Sequence, residues 1–154
     1  DQWWEFSLFG LHPLQRNAPV AHISFYEADA YARWAKARLP TEEEWECHVR
    51  AAQSQPQHGN FLEHNQLVPL PASTENHQFF GDLWEWTSSA YAPYPRYKPF
   101  KGMVGEYNGK FMNNQRVLRG GCCITPSNHI RVSYRNFFQP EKRWQFCGIR
   151  LVTE

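Results

Sequence analysis

An α+β domain with little regular secondary structure is what this sequence predicts, and three observations lead there. Phe, Trp and Tyr make up 16% of the chain while hydrophobic residues as a whole reach only 42%. Nine glycines and eleven prolines punctuate it, which leaves little room for long elements. Helical periodicity is confined to one early stretch, and strand-like alternation to short late ones. Large rings each bury a wide area and can hold irregular backbone that few ladder hydrogen bonds organise. A helix bundle does not fit.

The first element is a helix. In "SFYEADAYARWAKARLP" Ser24 is the expected N-cap, Glu27 closes a capping box, and Ala28, Tyr31, Ala32 and Ala35 form one stripe. It should stop near Arg38, because Pro40 disfavours helical geometry in the residue before it. A second helix follows in "TEEEWECHVRAA", where Thr41 caps, Glu44 closes the box, and the acidic first turn suits the helix dipole. From Gln53 to His77 no helical period survives, and an extended loop is expected, with at most a short strand at Gln66 to Leu70. The stretch "GDLWEWTSSAYAPYPRYKPFKGMVGEYNGKF" reads as irregular. Alternation returns in "RVLRGG", in "HIRVSYRN" with Ile130, Val132 and Tyr134 on one face, and in "GIRLV".

A length of 154 residues suits one domain, and the near balance of 16 basic against 15 acidic residues supplies no global field for nucleic acid or an anionic membrane. No run approaches the ~18 apolar residues of a membrane span, so a soluble cytoplasmic protein is expected. Cys47, Cys122, Cys123 and Cys147 lack zinc-site spacing, and reduced thiols are expected, with Cys122 and Cys123 buried. His58, His64 and His77 fall in the long loop with Glu63, but none forms a helical i, i+4 pair; surface histidines are the expected reading. No nucleophile elbow or Gly-rich phosphate loop is visible.

The stretch "YRNFFQPEKRWQFCGIRLV" is more informative. A sheet core accounts for Tyr134, Ile149 and Leu151, but not for Arg135, Asn136, Arg143 and Gln145 interleaved with Phe137, Phe138, Trp144 and Phe146. Buried polar groups need partners. A pocket for a small zwitterion would supply them, with Arg, Asn and Gln for a carboxylate and ring faces for a quaternary ammonium group. Plain packing with the arginines at the surface is the alternative.

"PVAHISFYEADAYARWAKARLPTEEEWE", "GDLWEWTSS", "VLRGG" and "GIRLV" resemble, in order and spacing, the formylglycine-generating or sulfatase-modifying-factor domain, which implies a C-type-lectin-like fold. Within that superfamily, "YAPYPRYKPFKGMVGEYNGKF", "VLRGGCCITPSNHIRVSYRNFF" and "RWQFCGIRLV" resemble the C-terminal region of EgtB-type ergothioneine sulfoxide synthases. The resemblance implies a nonheme iron(II) oxygenase that uses O2 to join a cysteine-type thiol to the imidazole of Nα-trimethylhistidine, leaving a sulfoxide. It places the iron on three histidines of an N-terminal DinB-like domain. Residues 1–154 would then be the C-terminal part of the sulfatase-modifying-factor domain, with no iron ligand of their own and an N-terminal fragment or domain of the same enzyme as partner. Trp3, Trp4, Phe6 and Phe9 are expected to be uncovered in the chain alone.

Residue by residue, the family's substrate-pocket stretch matches Asn136, Phe137 and Phe138. Arg135, Trp144 and Tyr107 are taken with them as candidate substrate-binding residues. Actinobacterial members that take γ-glutamylcysteine read Trp-Asp where this chain reads Phe137-Phe138, which leaves cysteine and γ-glutamylcysteine both open as donors. Formylglycine-generating members place two catalytic cysteines at positions that here are about Thr125 and Ile130. They also bind calcium at the turn matched by "GDLWEW", which implies a structural calcium on the carbonyls of Gly81 and Leu83 and the Glu85 carboxylate, unless Glu85 only hydrogen bonds the turn. Two other functions share these motifs: a noncatalytic C-type-lectin-like binding module, and a related synthase with a different sulfur or selenium donor.

Overall fold

The computed structural model describes residues 2–72 and 78–153, and in its third helix only the backbone of Tyr107 and Asn108. Strands β1 (Trp4–Ser7) and β2 (Gly10–Pro13) form an antiparallel hairpin that the sequence pattern did not predict. Its large side chains are uncovered, with Phe6 83% and Trp3 68% exposed. Helix α1 (Phe25–Trp34) carries the expected capping box, Ser24 accepting from the Glu27 N–H and Glu27 from the Ser24 N–H.

The helix ends at Trp34, earlier than expected, because Lys36 turns into the left-handed region at φ 54° and the Ala37 N–H reaches back to the Ala32 carbonyl. Beyond this turn the Arg38 backbone bridges Val152. Its buried face is Phe25, Ala28 and Ala32, whereas Tyr31 faces outward against Trp34. In α2 (Glu42–Ala51) Thr41 and Glu44 form the second capping box, and Trp45 and Val49 enter the core.

The core rests on a four-stranded sheet in the order β5-β4-β3-β6, comprising β3 (Trp84–Ala90), β4 (Arg116–Arg119), β5 (Asn136–Phe138) and β6 (Cys147–Ile149). β4 lies antiparallel to both β3 and β5, and β6 lies parallel to β3. Tight turns hold the sheet to the long loop. The Gly81 N–H donates to the Gly120 carbonyl at 3.0 Å. Both glycines have positive φ, and a Cβ at Gly81 would fall 2.3 Å from the Asn60 carbonyl oxygen.

Four expectations are corrected. Gln66 to Leu70 is not a strand: the Leu70 N–H donates to Asp82 and the Val68 carbonyl accepts from Asn60, so side chains take the groups a ladder would need. The stretch expected to be irregular holds β3, whose first four residues are all buried and so show no alternation, and helix α3 (Met103–Gly109). "HIRVSYRN" is not a strand through Tyr134, because the Arg119 guanidinium takes the carbonyls of Val132 and Tyr134. The strand begins at Asn136. In "GIRLV" the pairing shifts earlier, to Cys147–Ile149.

Cys122, Cys123 and Cys147 are buried free thiols and Cys47 is exposed. Burial pushes the Cys123 thiol up to about 12 and Cys147 to about 11. Among the described residues no helix is long and apolar enough to cross a membrane.

Candidate functional site

Beyond the end of β4 the chain turns through Gly120 and Gly121, runs through a short 3-10 turn at Ser127–His129, and returns as β5. The segment 144–146 passes alongside before β6. Between these pieces lies a pocket of about 440 Å³, with walls from Trp84, Phe138, Trp144 and Phe146 and polar groups from Thr125, His129, Tyr134, Asn136 and Gln145.

The aromatic side is held by ring contacts. Phe138 meets Trp144 edge to face at 5.3 Å, and Tyr134 packs on Trp84 at 5.7 Å. Trp144 is nevertheless 70% exposed, so its ring forms the lip of the pocket. On the polar side the Tyr134 hydroxyl and His129 Nε2 are 2.6 Å apart. Thr125 Oγ1 accepts from the Cys122 N–H at 3.1 Å, which fixes the turn. The Asn136 Oδ1 accepts from the Phe137 N–H, leaving its amide nitrogen as the donor toward a ligand.

Gln145 is 94% buried in complement to its 6% exposure, and its Oε1 has no partner. Its Nε2 donates to the Lys142 carbonyl at 3.3 Å. A carbonyl can only accept, so the amide cannot be reversed and the unpartnered atom is an acceptor.

Of the residues expected at a site, Asn136, Phe138 and Trp144 meet in this pocket. Arg135 and Phe137 do not, because successive residues of an extended segment point to opposite faces. Phe137 stacks on Tyr91 at 4.1 Å, and Arg135 makes a bidentate pair with Glu42 while lying over Tyr91 and Tyr94. The Tyr107 side chain lies outside the described residues, as does His77. Sequence reasoning did not bring His129, Tyr134 and Trp84 together; their spacing follows no helix or strand period. Thr125 had been named only through the resemblance, as lying at about one of the positions where formylglycine-generating members carry a catalytic cysteine.

A second hollow of about 700 Å³ lies between α2 and the segment 150–153 that follows β6. Two of its charged side chains, Glu44 and Arg150, already pair with Arg38 and Glu85, and it holds none of the expected substrate-pocket residues.

The calcium expected at the "GDLWEW" turn does not find its ligands here. Among the described residues no three His, Cys, Asp or Glu side chains converge to hold an ion. His12 contacts Ser7, His64 accepts from the Phe61 N–H, and His129 pairs with Tyr134. At the turn expected to bind calcium, both Glu85 oxygens are taken by Arg150, at 2.7 and 2.9 Å, and one also by the Trp45 indole N–H at 2.6 Å. The Gly81 carbonyl accepts from the Leu83 N–H. The residues present therefore do not fit a calcium ion.

Comparison with known proteins is consistent with this geometry. The sulfatase-modifying factor enzyme 1-like domain matches residues 11–67 and 65–154. A hercynine oxygenase of Mycolicibacterium smegmatis is 37% identical over 90% of this chain and 38% of its own length. A formylglycine-generating enzyme of Streptomyces coelicolor is 30% identical over 90% of this chain and 53% of its own. The chain thus spans well under two thirds of either relative. The structure of PvdO from Pseudomonas aeruginosa superposes with a TM-score of 0.68 at 17% identity, covering 91% of this chain and 63% of that one, a likeness of fold.

Proposed function

Since this chain belongs to the sulfatase-modifying factor enzyme 1-like domain family, with a C-type-lectin-like fold, we propose that it forms the substrate-closing part of a sulfoxide synthase of ergothioneine biosynthesis. The enzyme joins a cysteine-type thiol to the imidazole of Nα-trimethylhistidine. The single observation that carries this reading is the meeting of Asn136, Phe138 and Trp144 around one pocket, beside an unpartnered buried acceptor on Gln145. Thr125 and Ile130 stand where formylglycine chemistry would need cysteines, which favours the oxygenase over that relative.

In this reading the trimethylammonium group lies against the Trp144 and Phe138 rings, an attraction of about 0.5–2 kcal/mol depending on how dry the contact is. The Asn136 amide N–H donates to the substrate carboxylate, and Gln145 lies on the wall with an acceptor for an N–H. The aromatic walls exclude water. Iron(II), which the resemblance puts on the N-terminal domain of such enzymes, would supply the activation of O2, with this chain's residues binding and orienting the betaine.

Calorimetric titration of the assembled enzyme with Nα-trimethylhistidine and with histidine tests the reading. The betaine should bind about tenfold more tightly, and Trp144→Leu should remove most of that preference. Equal affinity for the two, or a preference that survives Trp144→Leu, would overturn it.

A further inference from the structure

Among the described residues the buried side-chain polar atoms without a partner lie on Asn60, Arg119 and Gln145, and of these only Gln145 lines the aromatic pocket. We infer that Gln145 selects the ring of the betaine: its Oε1 takes the imidazole N–H, which fixes the proton on the ring nitrogen facing it and leaves the other ring nitrogen its lone pair. This rests on the proposed function and adds to it the group that reads the ring.

The segment carrying Gln145 is tied down along its length. The Pro140 carbonyl accepts from the Phe25 N–H at 2.9 Å, Arg143 pairs with Glu27 at 2.9 Å, and the Phe146 carbonyl accepts from the Trp84 N–H at 2.9 Å. The Gln145 carbonyl accepts from the Cys147 N–H, and its side-chain Nε2 donates to the Lys142 carbonyl. With the backbone and the amide nitrogen both held, the Oε1 stays inside. An acceptor buried without a donor is costly, so a donor brought by a ligand accounts for it.

No other polar side chain of the pocket offers an unmet buried acceptor. Asn136 Oδ1 accepts from the Phe137 N–H, Thr125 Oγ1 accepts from the Cys122 N–H, and the Tyr134 hydroxyl and His129 Nε2 face each other at 2.6 Å. The betaine, for its part, has a single kind of donor. Its charged nitrogen is fully methylated and its carboxylate is ionised, so the ring N–H is the hydrogen it can give. A neutral imidazole carries its proton on one nitrogen, and the hydrogen bond made there sets which one. Two amides of opposite polarity then read the ligand, Asn136 as donor to the carboxylate and Gln145 as acceptor from the ring.

Calorimetric titration of the assembled enzyme, as wild type and as Gln145→Met, with Nα-trimethylhistidine and with the betaine of thiazolylalanine tests the inference. Thiazole is a ring of similar size that keeps a nitrogen lone pair and has no N–H, and Met keeps the length of Gln without its amide acceptor. The wild type should bind the imidazole about tenfold to a hundredfold more tightly than the thiazole, and Gln145→Met should bind the two within about threefold. Equal binding by the wild type, or a ring preference that survives Gln145→Met, would overturn the inference. The proposed function would still stand if that same enzyme preferred Nα-trimethylhistidine to histidine, whereas no preference there removes both. If Gln145→Met does not fold, the wild type decides through nitrogen NMR of isotope-labelled Nα-trimethylhistidine bound to the metal-free enzyme. One protonated and one unprotonated ring nitrogen are expected, and a pair averaged between tautomers would sink the inference.

Discussion

The two sides of the segment entering β5 use polar side chains in opposite ways. On one side Arg135 and the almost fully buried Arg119 converge on Glu42 at the start of α2, with Glu46 adding a second carboxylate 3.2 Å from Arg119. Each guanidinium there has a carboxylate partner inside the protein, although Arg119 Nε itself is buried without one. On the other side Asn136 and Gln145 face a pocket, with an amide donor and an unpartnered acceptor. In sequence Arg135 and Asn136 are neighbours. The pleat separates them into a framework and a binding surface, so adjacency in the chain is a poor guide to shared function.

The framework side should be the costlier to break. Glu42→Ala leaves two guanidinium groups facing each other with only Glu46 near, and should lower unfolding free energy by about 3–5 kcal/mol. Asn136→Ala should cost under about 1 kcal/mol. Urea unfolding of both variants measures the contrast, and equal losses would erase the distinction between the two sides.

Phe138 sharpens the comparison because it belongs to the pocket and also packs against the core. Phe138→Asp should lower stability by about 1–3 kcal/mol through lost apolar burial. If the proposed function holds, it should also change the kcat/KM ratio of γ-glutamylcysteine to cysteine about tenfold to a hundredfold. A much larger loss of stability with an unchanged ratio would move Phe138 from the pocket to the core.

The smallest effect lies outside both regions. The bidentate contact of Arg38 and the Thr41 N–H hold the Glu44 carboxyl down, from 4.5 to about 2. A lowered folded-state pKa adds stability above pH 4.5 that is lost as pH falls toward 2. Because the pair is well exposed, solvent screening limits this to at most about 1 kcal/mol. Glu44→Gln should flatten that part of an acid-unfolding profile, and a profile identical to wild type would show that the pair contributes nothing.

Much of the fold was legible in the chain. Ser24 with Glu27 and Thr41 with Glu44 announce both helices, because capping is a local bargain between side chain and backbone a few residues apart. β3 was not legible, since a strand buried on both faces shows no alternation. Nor was the end of the strand-like run before Asn136, which Arg119 decides from thirteen and fifteen residues away. In the candidate pocket, Asn136, Phe138 and Trp144 were singled out from the sequence, yet nothing in the spacing separated them from Arg135 and Phe137, which the fold turns away from it.

The sequence by itself determined the α+β class, the helix starts, the ring-rich core and the family. It did so through local capping, composition and motif order, which need no long-range contact to be read. Only the tertiary structure decided that Arg135 pairs with Glu42, 93 residues away, and Arg150 with Glu85, 65 residues away. A charged side chain's role depends on which opposite charge the fold brings within hydrogen-bond reach, and that distance is set by the packing of strands and helices far apart in the chain.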